Sequence, residues 1–361
     1  MTRVLIVDDS VAFRMFLRRC LMAMSDVEVV GVARDGVDAL EKAKELQPDV
    51  VTLDMNMPRM NGMETLQAMK RDYPQISVII VAAETEDDAD RTVQALKAGA
   101  FDFIVKPKAS DPSPTKSIQH SLGTRLDELR ARTATRHRRA APASVSTAPT
   151  PLAPRTAAPN ILAIGASTGG PAALHTVLAA LPARLPIPVV VVQHMPELFI
   201  RSLASRLDKD TPPPCSVVQE GEHLMPGHVY FAPGGKHLQV INDHGTLLAH
   251  LDDSPPLHFC RPAVDATFMS LAALAPRVQT LAVVLTGMGK DGAAGALRLA
   301  EQGAMVLAQD KETSTVWGMP GAVVEAGAAH KMLPLADIAG AVLAQTKRSH
   351  ANIAMAPAAS G

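Results

Sequence analysis

Short apolar runs alternate with amphipathic segments over the first part of the chain. The apolar runs are rich in Val, Ile and Leu, as expected of parallel strands that are buried on both faces. They lie at residues 4–7, 27–32, 49–53, 78–81 and 101–105. The segments between them repeat apolar residues at helical spacing and lie at 11–24, 37–46, 63–69 and 89–98. This alternation predicts a doubly wound parallel α/β sheet, whose ligand sites lie at the carboxyl ends of its strands.

A change in composition marks the end of this domain. The fifth helix is predicted from a further amphipathic segment, whose apolar face carries Ile118, Leu122, Leu126 and Leu129. An arginine-rich stretch follows, and Ala, Pro, Ser and Thr then predominate in residues 140–159. That composition is typical of a semi-extended linker, and the arginines, which lack interleaved aromatic residues, indicate a solvated helix end. We therefore predict a first domain at 1–130 and a linker at 131–159.

The alternation of strands and helices resumes after the linker. Buried strands are predicted at 161–165, 189–193, 281–285 and 305–308. Residues 215–252 differ, because short alternating runs are separated there by Gly, Pro and Asn-Asp. This pattern predicts antiparallel hairpins inserted into an otherwise parallel sheet. We expect the second α/β domain at 160–347 and a flexible tail at 348–361.

Length, charge and cysteine content narrow the class of protein. A chain of 361 residues exceeds the usual size of one hydrophobic core, and a net charge of −1 argues against a global attraction to nucleic acid or to anionic membrane. The three cysteines lie far apart without a C-x-x-C pair, which indicates neither a disulfide framework nor a thiolate metal cage. No apolar run approaches a signal peptide or a bilayer span. We expect a cytoplasmic protein that neither binds nucleic acid nor inserts into a membrane.

Charged residues close three of the predicted strands of the first domain. Asp8 and Asp9 end the first strand, Asp54 ends the third and Lys106 ends the fifth. A single acid in such a place is more often solvated or caps a helix. Four charged residues at one sheet edge instead favour a site that holds Mg²⁺ on carboxylate oxygens and places a phosphoryl group on Asp54.

A longer pattern contains these residues. It comprises Asp8-Asp9, the run Asp-Met-Asn-Met-Pro-Arg-Met-Asn-Gly at 54–62, Phe103 and Lys106-Pro107. On this pattern residues 1–130 resemble the receiver domain of two-component response regulators. The resemblance implies a (βα)5 flavodoxin-like fold and phosphorylation by a histidine kinase.

The same resemblance implies the role of each residue in the site. Asp54 would accept the phosphoryl group, Lys106 would contact it, and the peptide bond between Lys106 and Pro107 would be cis. Mg²⁺ would be bound by Asp8, Asp9, Asp54 and the backbone carbonyl of Asn56.

One position departs from the receiver pattern. The family has Ser or Thr at the end of the fourth strand, and its hydroxyl follows the phosphoryl group; this chain has Ala82. Thr85 could supply a hydroxyl only if the loop folded back. We expect Asp54 to be phosphorylated still, with weakened or rerouted coupling to the second domain.

A serine set between glycines ends the first apolar run of the second domain. The run Gly-Ala-Ser-Thr-Gly-Gly-Pro at 165–171 predicts a strand, a tight turn with Ser167 and a helix start. We expect Gly165, Gly169 and Gly170 to adopt backbone angles that a Cβ would resist, and Pro171 suits the first helical turn. The G-x-S-x-G spacing is that of nucleophile elbows, but it also arises by chance.

Two further residues end strands at the edge where Ser167 is predicted. His194 follows the strand at 189–193, and Asp291 follows the strand at 281–285. A serine nucleophile needs a base and a group that orients the base, and these residue types supply both. Each could also be a packing residue or a helix-start residue. The chain order Ser, His, Asp is not that of α/β-hydrolases, and the glycines do not form a phosphate-binding loop.

Four spaced motifs, which include these three residues, extend over most of the second domain. They lie at 165–170, 193–196, 230–235 and 285–292. They resemble the catalytic domain of the chemotaxis protein-glutamate methylesterase family, CheB, in which a receiver domain precedes the esterase. The resemblance implies hydrolysis of glutamyl methyl esters and deamidation of glutamines on chemoreceptors, without a cofactor for the esterase reaction. It also implies a chemotaxis histidine kinase as phosphodonor and an esterase edge that the receiver occludes until Asp54 is phosphorylated.

The resemblance assigns roles at the esterase site as well. Ser167 would attack, His194 would transfer the proton and Asp291 would orient the imidazole. The backbone N–H of Met288 would bind the oxyanion, with Thr168 as a supporting residue.

Two positions depart from the esterase pattern, and other functions stay open. Ala263 stands where the family commonly has Ser, and Lys290 places a cation beside Asp291. The histidines at 223, 228, 237, 244, 250 and 258 fit no common zinc spacing. One alternative function is a receptor-binding or phosphate-sink regulator without esterase activity, and another is an esterase with a different substrate.

Overall fold

The chain folds into two compact units, residues 1–145 and 146–361. The computed structural model of the protein describes residues 1–108, 110–138 and 157–353. Most of the predicted linker and the end of the predicted tail lie outside these ranges. The domain limits at 130, 159 and 347 therefore stay predictions. Within the described residues, every helix is too short or too polar to cross a bilayer.

The N-terminal unit is a parallel sheet with helices between its strands. The strands are β1 (Thr2–Val7), β2 (Val27–Ala33), β3 (Val50–Asp54), β4 (Ser77–Ala82) and β5 (Asp102–Val105). The helices are α1 (Val11–Met22), α2 (Gly36–Leu46), α3 (Gly62–Asp72), α4 (Glu86–Lys97) and α5 (Pro114–Arg138). The order β2-β1-β3-β4-β5 reverses direction at β1, which brings the ends of β1 and β3 together as the sequence predicts.

Side-chain caps explain where the helices of this unit begin. Ser10, Asp35, Asn61 and Thr85 each accept a hydrogen bond from a backbone N–H in the first turn of the helix that follows. The predicted apolar face of α5 is buried throughout: Ile118, Leu122, Leu126 and Leu129. Local capping and helical periodicity therefore agree with the tertiary fold.

The C-terminal unit is built on a larger parallel sheet. Its strands are β6 (Ile161–Ala166), β7 (Val189–Gln193), β8 (Cys215–Val217), β9 (Val229–Phe231), β10 (His237–Asp243), β11 (Thr246–Asp252), β12 (Thr280–Val284), β13 (Met305–Gln309) and β14 (Lys331–Leu333). Its helices are α6 (Gly170–Ala179), α7 (Glu197–Asp210), α8 (Val264–Ala273), α9 (Ala293–Glu301), α10 (Met319–Glu325) and α11 (Leu335–Ile353). The sheet order is β14-β13-β12-β6-β7-β9-β8.

The region predicted to contain hairpins is only partly antiparallel. β10 and β11 pair as an antiparallel hairpin outside the main sheet, which confirms the insertion. β8 and β9 instead pair in parallel and extend the main sheet beyond β7, so the expectation of antiparallel hairpins in 215–252 is wrong for these two strands. Their pairing is set by β7, a long-range neighbour that alternation within a short run does not reveal.

Phe268 is a central residue of the core between α8 and the main sheet. Its side chain is fully buried, whereas the adjacent Met269 on the same helix is exposed. We expect Phe268→Ala to lower the free energy of unfolding of this unit by about 3–5 kcal/mol, and Met269→Ala by less than about 1 kcal/mol. Urea unfolding followed by the fluorescence of Trp317, the single tryptophan, reports on this unit alone. Equal effects of the two substitutions would contradict this packing.

Candidate functional sites

The charged residues of the N-terminal unit meet at one edge of its sheet. Carboxylate oxygens of Asp8, Asp9 and Asp54 lie within 4.8 Å of one another. Asp8 and Asp54 are buried, and Asp9 is exposed. Lys106 Nζ lies 2.9 Å from Asp8 Oδ2 and 3.2 Å from Asp54 Oδ1. Lys106 therefore pairs with two of the three clustered carboxylates, and this set of hard oxygen donors fits a divalent cation such as Mg²⁺.

Asp54 has a strongly perturbed acidity. Burial raises its pKa to about 6, and although the Lys106 charge opposes this shift, the charge of Asp8 adds to it. The backbone N–H of Met55 donates to Asp54 Oδ1 at 2.9 Å. Gly62 lies directly behind this strand end, because a Cβ there would come within 2.4 Å of the Asp54 carbonyl. The site is thus crowded and carries excess negative charge.

The loops beside Asp54 are joined by a buried acid that the sequence analysis did not single out. Asp88, in the first turn of α4, accepts hydrogen bonds from the Asn56 side chain at 2.5 Å and from the Ala83 N–H at 2.9 Å. Ala82 is buried at the end of β4. The Thr85 hydroxyl accepts from the Asp88 N–H and so caps α4. Thr85 is therefore committed to a capping role.

The peptide bond between Lys106 and Pro107 does not have the expected geometry. The described residues contain cis bonds before Pro262 and Pro276, and the bond before Pro107 is trans. The expectation of a cis bond there is therefore wrong. A trans bond is the lower-energy form for most X–Pro pairs.

The nucleophile turn in the C-terminal unit needs its glycines for two different reasons. Gly169 has a φ of 77°, as a left-handed turn residue requires. Gly165 and Gly170 have no positive φ, so the expectation that they are needed for unusual backbone angles is wrong. A Cβ on Gly165 would lie 2.6 Å from Val264 Cγ1, and one on Gly170 would lie 1.9 Å from Gln193 Oε1. These two glycines permit close packing against α8 and β7.

Sheet order brings the three predicted catalytic residues to one edge. β6 lies between β12 and β7, and Ser167, His194 and Asp291 follow these strands. The His194 N–H donates to Ala166 O, and the Ser167 N–H donates to Thr286 O. His194 Nε2 lies 2.8 Å from Asp291 Oδ2. The imidazole is therefore held by the carboxylate, and the His194 backbone is hydrogen-bonded to Ala166, the residue that precedes Ser167.

Asp291 is a buried carboxylate at the N-terminus of α8. It accepts backbone hydrogen bonds from Val264 at 2.7 Å and from Asp265 at 2.9 Å. Burial alone would raise its pKa, but these N–H groups and His194 hold the pKa below its usual value. Ala263 precedes the helix and has no side chain that could cap it. Asp291 therefore supplies the negative charge that a capping residue would otherwise bring.

His194 is nearly buried, with 11% of its side chain exposed. Burial disfavours the imidazolium, but hydrogen bonds to Asp291 and Cys260 outweigh this effect and raise the pKa of His194 above its usual range. Cys260 Sγ lies 3.5 Å from His194 Nδ1. Asp291 and Cys260 therefore flank the two nitrogens of the ring.

Two donors at this edge are not engaged in hydrogen bonds among the described residues. The Ser167 hydroxyl has no hydrogen-bond partner there, and neither has the backbone N–H of Met288. The carbonyls next to these two donors already accept hydrogen bonds: Thr168 O accepts from Thr286 Oγ1, and Gly287 O accepts from the Gly318 N–H. The site thus presents a hydroxyl and an N–H to a reactant.

Several supporting residues lie outside the predicted set. Gln193 Nε2 donates to Ser167 O at 3.0 Å, and the Gln309 side chain accepts from Thr286 N–H at 2.8 Å. His258 Nε2 lies 2.8 Å from Asp265 Oδ2, and both side chains approach Asp291 to within 4.8 Å. Gln193 and Gln309 end strands, which is a signal that sequence inspection could have used. Cys260 and His258 lie in a loop without such a signal.

Known proteins share both units. The sequence model for CheB methylesterase matches residues 162–342, and that for the response regulator receiver domain matches residues 4–112. A protein-glutamate methylesterase/protein-glutamine glutaminase of Nocardioides sp. is 42% identical over 366 residues, which cover 99% of each chain. The protein of that name from Thermotoga maritima is 42% identical and covers 92% of this chain and 95% of its own length. The crystal structure of the Thermotoga maritima CheB methylesterase catalytic domain aligns with a TM-score of 0.50 at 42% identity, over 52% of this chain and 99% of that one.

The crowded charges around Asp54 predict an effect on stability. The folded-state pKa of about 6 exceeds the ordinary aspartate value of 3.8, so ionisation of Asp54 disfavours the folded state. This cost is absent below pH 3.8 and is fully present once pH has risen through 6. We expect Asp54→Asn to raise the free energy of unfolding of the N-terminal unit at pH 7.5 by about 2 kcal/mol without Mg²⁺. The advantage should shrink toward pH 4.

Thermal unfolding followed by circular dichroism measures this effect, and Trp317 fluorescence shows that the other unit is unchanged. Mg²⁺ should stabilise the natural chain more than the Asp54→Asn variant. Asp72→Asn, at an exposed position of the same unit, is the matched control and should not stabilise. An equal response to Mg²⁺ in all three proteins would argue against a cation site at Asp54.

Proposed function

The chain belongs to the CheB methylesterase family, and we propose that it is a phosphorylation-regulated serine hydrolase of chemotaxis adaptation. It would demethylate glutamyl methyl esters and deamidate glutamines on methyl-accepting chemotaxis receptors in the cytoplasm. The observation that carries this proposal is the His194–Asp291 pair, held at 2.8 Å beside the turn that presents Ser167. A regulator without esterase activity would have no use for this arrangement.

The geometry supports an acyl-transfer mechanism. Ser167 Oγ attacks the ester carbonyl carbon while His194 takes the hydroxyl proton, and Asp291 stabilises the imidazolium. The carbon–oxygen bond to methanol then breaks, and His194 returns the proton to the leaving oxygen. Water attacks the glutamyl-enzyme by the reverse route and releases the carboxylate. A glutamine would react in the same way and release ammonia.

The contacts of His194 indicate which of its ring atoms acts. Asp291 engages Nε2, so Nδ1, which Cys260 Sγ contacts at 3.5 Å in the resting protein, is the nitrogen that exchanges a proton with Ser167. The Ser167 hydroxyl makes no contact with it yet, and such contacts often tighten only when substrate is bound. The ring therefore has its orienting partner before substrate arrives.

The tetrahedral oxyanion needs a donor that is already in place. The Met288 N–H has no partner among the described residues. Gly287 before it lets this loop approach the turn at Ser167, and Gly289 after it has a left-handed φ of 75°. A Cβ on Gly287 would lie 2.8 Å from Ser167 Cβ. The turn at Ser167 is joined to the same loop where the Thr168 carbonyl accepts a hydrogen bond from Thr286 Oγ1. The exposed Lys290 would attract acidic receptor helices.

The N-terminal unit supplies the proposed control. Asp54 would accept a phosphoryl group from a chemotaxis histidine kinase, and Lys106 would contact the transferred group. Asp8, Asp9, Asp54 and the Asn56 carbonyl would hold Mg²⁺, which neutralises charge on the phosphoryl oxygens when bound. The raised pKa of Asp54 agrees with a carboxylate that is destabilised until a cation or a phosphoryl group relieves the crowding.

Methanol release from methylated receptor helices tests the catalytic assignment. We expect the natural chain to release methanol and Ser167→Ala to reduce the rate at least about 10³-fold, since the nucleophile is lost. A small acyl phosphate added with Mg²⁺ should increase the rate of the natural chain. Asp54→Asn is the matched control, which should keep the basal rate and lose the increase. Release that persists in Ser167→Ala would contradict the nucleophile, and no release at all would favour a non-catalytic regulator.

A second prediction concerns the missing hydroxyl at Ala82. Thr85 is committed to capping α4, so we expect weak coupling between phosphorylation and activity. Ala82→Thr should increase the stimulation by the acyl phosphate, because it restores a hydroxyl near the phosphoryl group. Ala82→Val has nearly the same volume without a hydroxyl and should not increase the stimulation. If Thr and Val behave alike in the methanol assay, the hydroxyl is not the missing element.

A further inference from the structure

A cysteine sulfur faces the ring nitrogen of His194 that Asp291 leaves uncovered. Cys260 Sγ lies 3.5 Å from His194 Nδ1, on a residue that is itself only half buried. We propose that Cys260 is a positioning residue for the hydrolysis: its sulfur fixes the imidazole between itself and Asp291 and accepts a hydrogen bond from the imidazolium. The inference rests on the function proposed above.

The segment that carries Cys260 is fixed at both ends by one buried histidine. His237 is fully buried at the start of β10. Its Nδ1 accepts from the Ala263 N–H at 3.1 Å, and its Nε2 lies 3.2 Å from Pro255 O. A neutral imidazole with its proton on Nε2 satisfies both contacts. The loop between Pro255 and Ala263 is therefore anchored before it reaches the site.

Within this loop Cys260 closes a tight turn. Leu257 and Cys260 exchange two backbone hydrogen bonds, at 3.1 and 2.8 Å. The residues between them, His258 and Phe259, have φ angles of 50° and 64° although neither is glycine. Left-handed conformations at two successive residues with a Cβ are costly, and they persist where the surroundings fix them. The turn is therefore held by its contacts rather than by its own preference.

The turn is attached to the catalytic site at two points. His258 Nε2 lies 2.8 Å from Asp265 Oδ2, and the Asp265 N–H donates to Asp291 Oδ1. Cys260 contacts His194 directly. His258 thus contacts Asp265, the acid hydrogen-bonded to Asp291, and Cys260 contacts His194, the base that Asp291 orients. The first turn of α8 therefore positions both Asp291 and, through His258, the turn that carries Cys260.

The electrostatic effect of Cys260 on the ring has a definite sign. The titratable groups that act on His194 are Asp291, from the loop after β12, and Cys260, from the segment before α8. The Asp265–His258 pair lies behind Asp291. Burial lowers the pKa of His194, whereas both flanking groups raise it because each accepts a hydrogen bond from the protonated ring. Loss of the sulfur should therefore lower that pKa.

The test compares Cys260→Ala and Cys260→Ser in the full chain. We expect Cys260→Ala to reduce kcat for methanol release roughly tenfold with KM unchanged, since the ring loses one of its two contacts. The acid limb of the pH profile should move to lower pH by about half a unit. Cys260→Ser keeps a hydrogen-bonding atom and should restore most of both. Cys215→Ala removes a buried thiol of the same unit and should leave kcat and the midpoint unchanged.

A substrate-independent measurement separates this inference from the proposed function. The His194 ring is titrated by NMR in chain labelled with ¹³C-histidine, and its signal is assigned with His194→Gln. A lower midpoint in Cys260→Ala than in the natural chain supports the contact. A midpoint and a kcat that match the natural chain overturn it. Absence of methanol release from the natural chain would refute the esterase while the titration still decides the role of Cys260.

Discussion

The buried carboxylate of Asp291 is the interaction on which the esterase site depends. It is only 2% exposed, so its charge is tolerable only while every oxygen has a donor. Two donors come from the first turn of α8 and one from His194. A single charge therefore fixes the loop after β12, the start of a helix and the end of β7 relative to one another. Removal of any donor would leave part of a buried charge unpaired, at a cost of about 1–3 kcal/mol.

In the N-terminal site, by contrast, the buried carboxylates have few hydrogen-bond donors. Its carboxylates are close together, and Lys106 is their one ammonium partner among the described residues. Burial, with the charge of Asp8 added to it, raises the pKa of Asp54, whereas the pKa of Asp291 is lowered, although both are buried acids that end or follow parallel strands. The difference lies in their donors. Asp291 accepts from two backbone N–H groups and lies against His194, whereas Asp54 accepts from one backbone N–H, that of Met55, and shares Lys106 with Asp8.

Much of this architecture follows from local sequence, and the exceptions have a common cause. The strands at 161–165 and 189–193 are long apolar runs, and residues that follow such runs converge because parallel strands end at one edge. The convergence of residues that end or follow such strands, such as Asp54 and His194, can therefore be predicted from the sequence. β8 and β9 are short, and their parallel pairing depends on a distant neighbour. Cys260 lies in a loop whose course is set by His237 and Asp265, and no local pattern encodes contacts of that range.

The close approach of α8 to β6 has a consequence for control. Gly165 leaves only enough space for the side chain of Val264, so the helix that orients Asp291 rests directly on the strand that presents Ser167. Close-packed surfaces of this kind do not deform gradually, because even a small separation forfeits their attraction. The proposed triad of Ser167, His194 and Asp291 is consequently a poor place to regulate by distortion. Under the function proposed above, we therefore expect control to act by admitting or excluding the substrate, while the catalytic geometry stays the same in both conditions.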